Sequence, residues 1–214
     1  MRNLLTLIVT IVAIGCLPGT RAALKKENVV VAINCGSSFP FSTPSGVVYA
    51  ADKYFKNGVV SSAGKAYTDV WPELSQIDLY KTERYADAEF LSYELPLKKE
   101  AEDGHYVLVL KFSEVYFEKA GGKVFDVALG SKMVVEDLDI FARAGKFSPH
   151  DEFVEFDVKN KAVYHKGELA KDAYVAGKLA VRFVKGPADN PKINAILLVK
   201  GGLDGKSHMT TKRG

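Results

Sequence analysis

The chain has 214 residues, 47% hydrophobic and 26% charged, which suffices for one well-packed core but not comfortably for two domains. Without residues 1–22 its net charge of +3 falls to +1, because the 29 basic side chains become 27 against 26 acidic ones. A nearly neutral domain without a run of lysine or arginine lacks the electrostatic footprint needed for phosphate backbones. Nucleic acid is therefore not expected as a partner.

Residues 1–22 have the pattern of a secretory signal peptide. Arg2 gives a positive n-region, residues 4–16 are apolar or small, and Thr20-Arg21-Ala22 offers small residues for cleavage. A membrane anchor is the alternative, but a bilayer crossing needs about 20 apolar residues and this run stops at Pro18-Gly19. We therefore favour a cleaved signal and a chain that enters the secretory pathway.

The remaining chain is expected to hold one domain, residues 27–201, and a polar, disordered tail, residues 202–214. No later stretch approaches spanning length, and the tail has no Lys-Asp-Glu-Leu type retention signal. Cys16 leaves with the signal, so Cys35 becomes the only cysteine and an intramolecular disulfide is excluded. We interpret Cys35 as a buried small hydrophobe in preference to a redox or intermolecular thiol.

Short β-branched and alternating runs follow in chain order. Residues 29–33 predict a buried strand that ends at Asn34-Cys35-Gly36-Ser37. Residues 106–112 place Tyr106 and Phe112 on one face and Lys111 on the other, as in a central strand. The same alternation predicts further strands within residues 125–129, 154–158, 179–183 and 193–199.

Turn signals such as Asn160-Lys161 separate these runs, and no window of eleven or more residues carries a helical stripe. Short strands without a repeat of fixed period predict an all-β fold, a jelly-roll-like β-sandwich, and not a propeller or solenoid. Residues 39–78 are rich in Ser, Gly, Pro and aromatics and show little alternation. We expect long aromatic loops there, and long loops on rigid sheets often carry function.

No catalytic or metal-binding motif stands out. The chain has no G-x-S-x-G, no H-E-x-x-H and no Cys/His cluster. His150-Asp151-Glu152 is a tight polar cluster that could form a metal or acid/base site, but its place after Ser148-Pro149 favours a solvated turn. A glycosidase needs two facing carboxylates about 5 to 10 Å apart, and no spacing singles out such a pair. We therefore expect no catalytic residues, no metal and no cofactor.

Aromatic residues outside the predicted strands are the most informative feature. Tyrosine suits a sugar, because its flat ring packs on the apolar face of a pyranose while its hydroxyl meets the polar rim. A carboxylate can then accept sugar hydroxyls in charge-assisted hydrogen bonds. For Phe41, Phe55 and Phe90 we favour packing in the core over a role in binding.

Several strings resemble the malectin family of animals. They are residues 81–85 (KTERY), 106–117 (YVLVLKFSEVYF), 123–127 (KVFDV), 137–141 (DLDIF) and 189–192 (DNPK). Because they occur in the family's order between about residue 29 and residue 201, the resemblance covers nearly all of the predicted domain.

The resemblance implies a carbohydrate-binding-module sandwich and a lectin of the endoplasmic reticulum lumen that does not cleave its ligand. The implied ligand is the terminal glucose disaccharide of diglucosylated high-mannose N-glycans in early glycoprotein quality control. By matching motifs, the implied sugar-binding residues are Tyr67, Tyr85, Tyr116, Phe117 and Asp189. A subunit of the oligosaccharide-transferring complex is the implied protein partner.

The chain departs from the animal pattern in three places. The stretch from Tyr67 to Tyr85 is shorter, which leaves Tyr54 as an alternative to Tyr67. Gly186-Pro187-Ala188 stands where the animal proteins tend to carry aromatics. The acidic stretch and membrane helix of the animal proteins have no counterpart in this sequence, which leaves truncation, secretion and retention by a partner as alternatives. A glycoside hydrolase or its accessory module, and a protein-interaction ectodomain, are the alternative functions.

Overall fold

The computed structural model describes residues 28–61, 63–66, 77–97 and 103–203. The predicted signal peptide, residue Tyr67 and most of the predicted tail lie outside these ranges. The strands of the first half are β1 (Val29–Asn34), β2 (Phe41–Ser42), β3 (Val48–Ala51), β4 (Val59–Ser61), β5 (Glu83–Tyr85), β6 (Phe90–Pro96) and β7 (Gly104–Ser113). Those of the second half are β8 (Val124–Leu129), β9 (Lys132–Leu138), β10 (Pro149–Lys159), β11 (Ala162–His165), β12 (Glu168–Ala170), β13 (Tyr174–Val175), β14 (Lys178–Ala188), β15 (Lys192–Ile193) and β16 (Ala195–Lys200).

The strands form three sheets, and the all-β sandwich prediction is confirmed. The first sheet has the order β12-β11-β10-β7-β16-β1-β3-β2, and the second follows β13-β14-β8-β9 with β6 also paired to β14. The third is the small sheet β15-β5-β4. Within the described ranges one short helix, α1 (Ile140–Ala144), and two 3₁₀ turns, Ala63–Ala66 and Ile77–Tyr80, complete the fold. No helix of these ranges is long and apolar enough to span a bilayer.

The main core lies between the two large sheets, because every second side chain of β7 points toward the second sheet. Tyr106, Leu108, Leu110 and Phe112 all point inward and are fully buried. Against them pack buried side chains of the second sheet: Leu91, Tyr93, Leu95, Phe125, Val127, Leu129, Leu179, Val181 and Phe183. The ring of Phe183 lies 6.3 Å from that of Phe112 and 6.4 Å from that of Tyr93, both edge to face. Each such buried side chain contributes about 1.5 to 3 kcal/mol, which fixes the two sheets against each other.

The outer face of the first sheet is covered as well. Val107 and Val109 are only 3% exposed, and they pack in a second cluster with Tyr49, Leu79 and Tyr80. This cover comes from the segment between β1 and β5, which includes residues 39–78, where loops were predicted. The described parts of that segment hold three short strands, so the loop prediction there is wrong in part.

Two local predictions have clear outcomes. Asn160 and Lys161 both have positive φ, 50° and 60°, and join β10 to β11 in the tight hairpin that their sequence predicts. The solvated turn predicted at residues 150–152 is wrong, because these residues belong to strand β10. Its pairing with β7 begins at Pro149 opposite Ser113.

Candidate functional site

Two loops meet at one end of the sandwich. β7 ends at Ser113, opposite the start of β10, and β8 begins at Val124, opposite the end of β14 at Ala188. The loops that follow β7 and β14 therefore leave the sheets beside each other. They carry Tyr116, Phe117 and Asp189, three of the five predicted sugar-binding residues.

Tyr116 and Phe117 form an aromatic pair directly after β7. Their ring centroids are 5.2 Å apart with an interplanar angle of 79°. The Tyr116 side chain is 72% exposed, although it is large and partly apolar, and Phe117 is half-buried. An aromatic ring with a polar tip, held open to solvent, is the kind of surface on which the apolar face of a sugar can stack.

Glu114 holds this pair in place. One carboxylate oxygen, Oε1, accepts hydrogen bonds from the backbone N–H groups of Tyr116 at 2.7 Å and Phe117 at 3.1 Å. The residue is 1% exposed, so water does not compete for these bonds. The direction of the chain at both aromatic residues is thus set by a buried carboxylate two and three positions earlier.

The Gly121-Gly122 turn lies beneath the Phe117 ring. A Cβ atom on Gly122 would stand 2.6 Å from two ring carbons of Phe117, closer than real contacts allow. The N–H of Gly121 donates to Asp139 at 2.5 Å, and Asp139 also caps helix α1 through the N–H of Ala142. The turn is therefore fixed by the helix, and glycine is required for the ring to lie against it.

Asp189 follows β14 with a positive φ of 56°, a conformation that aspartate tolerates better than most residues. Its side chain is 37% exposed and forms an ion pair with Lys123, whose side chain is only 8% exposed. Lys123 also donates to the carbonyl of Asn190 at 2.8 Å and lies 5.6 Å from the Phe117 ring centroid. Asp189 is therefore joined to the aromatic pair through a single lysine.

Tyr85 belongs to the small third sheet. It is half-buried and pairs with Val59 of β4 and Lys192 of β15, whose side chains lie on the same face. The ammonium of Lys192 binds the carboxylate of Glu83 and the Ser113 carbonyl, the latter at 2.5 Å. The face that carries Tyr85 is thereby tied to the end of β7, three residues before Tyr116.

The opposite face of β5 is anchored by Arg84. Its guanidinium donates to Asp52 at 2.7 Å and to the Gly58 carbonyl at 2.6 Å, and it stacks 3.5 Å from the Phe55 ring centroid. Tyr54 belongs to this anchoring loop. The carbonyl of the alternative residue Tyr54 accepts from the N–H of Glu94 and its ring centroid lies 5.1 Å from the Lys53 ammonium, whereas Tyr85 lies on the face of β5 opposite Arg84.

Most of the other aromatics of this half are structural. Tyr49, Tyr80 and Tyr93 are 5% exposed or less. Phe41 packs on the second cluster, as predicted, while Phe55 is 39% exposed and stacks on Arg84 instead of filling the core. Burial thus removes Tyr49, Tyr80 and Tyr93 from the set of possible ligand contacts.

Sequence reasoning missed three residues that shape the site: Glu114, Gly122 and Lys123. All three stand in or beside strings that match the family. The only clue in the sequence was their nearness to predicted residues or matching strings, since Glu114 precedes the aromatic pair by two residues and Lys123 begins the KVFDV string. Their roles depend on contacts with distant segments, such as that of Lys123 with Asp189.

The polar cluster at residues 150–152 does not form a joint site. Alternation along β10 places His150 and Glu152 on one face, where Nε2 and Oε1 are 2.7 Å apart. Asp151 lies on the other face and accepts hydrogen bonds from Tyr80 and Lys111, both at 2.7 Å. No group of three or more His, Cys, Asp or Glu residues in the described ranges could hold a metal ion.

Comparison with known proteins identifies the family. The malectin domain family matches residues 29–196. Malectin of Danio rerio is 40% identical over 179 residues, 83% of this chain and 60% of the relative. Malectin of Homo sapiens is 46% identical over 126 residues, 59% of this chain and 41% of the relative. The chain thus spans no more than 60% of the length of these curated relatives.

Solved structures with little sequence similarity share the fold. The ANX2 ectodomain from Arabidopsis thaliana is 15% identical with a TM-score of 0.64, covering 80% of this chain and 49% of that one. A β-glucuronidase from Bacteroides uniformis is 17% identical with a TM-score of 0.58, covering 80% of this chain and 18% of that one. These likenesses concern the fold alone. The family match and the identities to curated relatives show that the chain belongs to the malectin family.

Proposed function

We propose that this protein is a lectin that binds the terminal glucose disaccharide of diglucosylated high-mannose N-glycans and does not cleave it. The observation that carries the proposal is the exposed Tyr116–Phe117 pair, joined through Lys123 to the partly exposed carboxylate of Asp189. Together they combine a stacking surface with a hydroxyl acceptor, the two features that a pyranose requires. Membership of the malectin family supports the same ligand class.

In this proposal each residue has a distinct role. Tyr116 and Phe117 pack on one sugar face, and Tyr85, on the neighbouring small sheet, packs on the adjoining sugar. Asp189 accepts hydrogen bonds from sugar hydroxyls. Tyr67, which lies outside the described residues, completes the set by resemblance alone.

The surroundings of the acids favour binding over hydrolysis. A glycosidase needs two carboxyl groups that face each other across the sugar, one of them able to donate a proton. Near the aromatic pair, Asp189 is paired with Lys123 and Glu118 with Lys146, while the Glu114 carboxylate is buried against backbone N–H groups. The hydrogen bond and charge of Lys146 lower the pKa of Glu118, which suits an ionised carboxylate better than a general acid.

The family resemblance also leads us to propose a place and a partner. We place the protein in the endoplasmic reticulum lumen, in early glycoprotein quality control, with a subunit of the oligosaccharide-transferring complex as its protein partner. These parts of the proposal rest on the resemblance and not on any contact described above.

A glycan array followed by calorimetry tests the ligand. Wild-type protein should bind diglucosylated high-mannose glycans, and maltose, while Tyr85→Ala and Asp189→Ala should weaken binding about tenfold or more. Tyr164→Ala is the matched control, because this half-buried tyrosine lies on β11, far from the site. Wild-type protein that binds no glucosylated glycan, or that releases glucose from labelled maltose, would contradict the proposal.

A further inference from the structure

Lys123 occupies a junction that the family resemblance does not assign. Its ammonium contacts the Asp189 carboxylate, donates to the Asn190 carbonyl at 2.8 Å and lies over the Phe117 ring. The side chain is 8% exposed, although lysine is almost never this buried unless it is paired. A lysine so placed links the stacking surface to the hydroxyl acceptor.

The ion pair makes the two oxygens of Asp189 unequal. Oδ2 is bound by Lys123, whereas Oδ1 has no hydrogen-bond partner among the residues that the structure describes. A carboxylate oxygen that is partly exposed and unpaired can accept a hydroxyl proton from a ligand. Because Lys123 holds one oxygen, the carboxylate cannot turn away without breaking the ion pair, and the other oxygen stays unpaired.

Positive φ at Asp189 adds to this constraint. The residue stands between the end of β14 and Pro191, whose carbonyl accepts from the N–H of Ala86. The loop backbone is thus tied on one side to β5, next to Tyr85, and on the other to Lys123 through the Asn190 carbonyl. Lys123 therefore braces both the side chain and the backbone of the acceptor.

We propose that Lys123 is a positioning residue of the carbohydrate site, which holds one oxygen of Asp189 so that the other is presented to a hydroxyl of an uncharged sugar. This inference rests on the proposed lectin function and names a residue through which it works. Lys123 also neutralises the carboxylate, so that the site presents a hydrogen-bond acceptor without an excess negative charge.

A double-mutant cycle tests this role by calorimetry with maltose. Lys123→Met should weaken binding about tenfold to a hundredfold, the loss that corresponds to one charge-assisted hydrogen bond. In an Asp189→Asn background the same substitution should add less than about twofold, because residues that act through one contact are not additive. Lys123→Arg, which keeps the charge, should restore most of the affinity that Lys123→Met loses.

Two controls separate positioning from loss of the fold. Lys132→Met removes the lysine of another ion pair, Lys132–Glu168, at the far end of β8 and β9, and should leave binding unchanged. Thermal unfolding of each variant checks the fold, and Lys123→Gln replaces Lys123→Met if the latter does not fold.

The outcomes are distinguishable. The inference is supported if Lys123→Met binds maltose more weakly than the wild type, while the double variant binds hardly more weakly than Asp189→Asn alone. Affinity of Lys123→Met within about twofold of the wild type, or an equal loss in both backgrounds, overturns it and leaves the lectin proposal standing. A wild type that binds no glucosylated ligand overturns both.

Discussion

The ammonium of Lys192 and the carboxylate of Glu83 form an ion pair inside the protein, with side chains that are 1% and 9% exposed. Lys192 is in β15 and Glu83 in β5, and both lie on the face of the small sheet that carries Tyr85. A second donor–acceptor contact joins Lys192 to the carbonyl of Ser113 at the end of β7. This pair therefore holds the small sheet, and with it Tyr85, against the main sandwich.

Removing one partner of this pair should destabilise the fold strongly. We expect Lys192→Met to lower the free energy of unfolding by about 3 to 5 kcal/mol, because Glu83 is left as an unpaired buried charge. The double variant Lys192→Met/Glu83→Gln should recover much of that loss. Urea unfolding measures both, and Lys81→Met, in the exposed pair with Asp78, is the control that should change little. A Lys192→Met protein as stable as this control would contradict the expectation.

The strands were largely predictable because their alternation is local. The inward set on β7, from Tyr106 to Phe112, can be read from a period of two and is observed. The residues that pack on Val107 and Val109 could not be predicted from such alternation. It depends on Tyr49 and Tyr80, which reach the sheet from a segment without a clear period.

The same distinction applies to the site. Resemblance of short strings predicted Tyr85, Tyr116, Phe117 and Asp189, and the structure ties their segments together by contacts. The residues that make those contacts were not predictable from strings. Lys123 and Asp189 are 66 positions apart, and no local pattern tells which lysine will be buried beside which acid.

Glu114 should orient the aromatic pair through its hydrogen bonds. We expect Glu114→Ala to weaken maltose binding and to lower the free energy of unfolding by about 1 to 3 kcal/mol, since two partly buried N–H groups lose their acceptor. Glu114→Gln should retain binding, because Oε1 is kept and the other oxygen, Oε2, is buried without a partner in the described ranges. Calorimetry and thermal unfolding check the two variants. Equal loss in both would show that charge, and not the acceptor, matters.

Gly122 should be required for the position of the Phe117 ring. The added methyl group of Gly122→Ala would overlap the ring, and overpacking of this kind costs about 1 to 3 kcal/mol. Because Phe117 is partly exposed, we expect the ring to move and maltose affinity to fall while the fold is retained. Gly202→Ala is the matched control, since a methyl group there meets no atom within 4 Å. Unchanged affinity of Gly122→Ala would show that the ring position is not important for binding.

Cys35 should be unreactive in the folded protein. The thiol is fully buried, as predicted for a small hydrophobe, and burial together with the nearby charge of Asp52 raises its pKa. The thiolate is the reactive form, so a thiol reagent at pH 8 should label Cys35 slowly in buffer and rapidly in urea. The measurement uses Cys16→Ser protein, in which Cys35 is the only thiol. Rapid labelling without denaturant would contradict the buried placement.

Glu94 should contribute stability that disappears in acid. Hydrogen bonds from Lys56 at 3.0 Å and Lys178 at 3.1 Å lower the pKa of this carboxyl below its ordinary value of 4.5. A group whose pKa is lower in the folded state stabilises the fold above its unfolded pKa, and this stabilisation is lost as the pH falls through the folded pKa. Glu94→Gln should therefore be less stable than the wild type at pH 7, by less than about 1 kcal/mol because the side chain is partly exposed.

Urea unfolding between about pH 7 and pH 2.5 follows the difference, which should begin to close below about pH 4.5 as the wild-type carboxyl takes up its proton. Glu89→Gln is the control, since the exposed Glu89 side chain has no ion pair among the described residues, and this substitution should change stability little at pH 7. If the gap between Glu94→Gln and the wild type were as large at pH 2.5 as at pH 7, the two lysines would not be acting on an ionised Glu94.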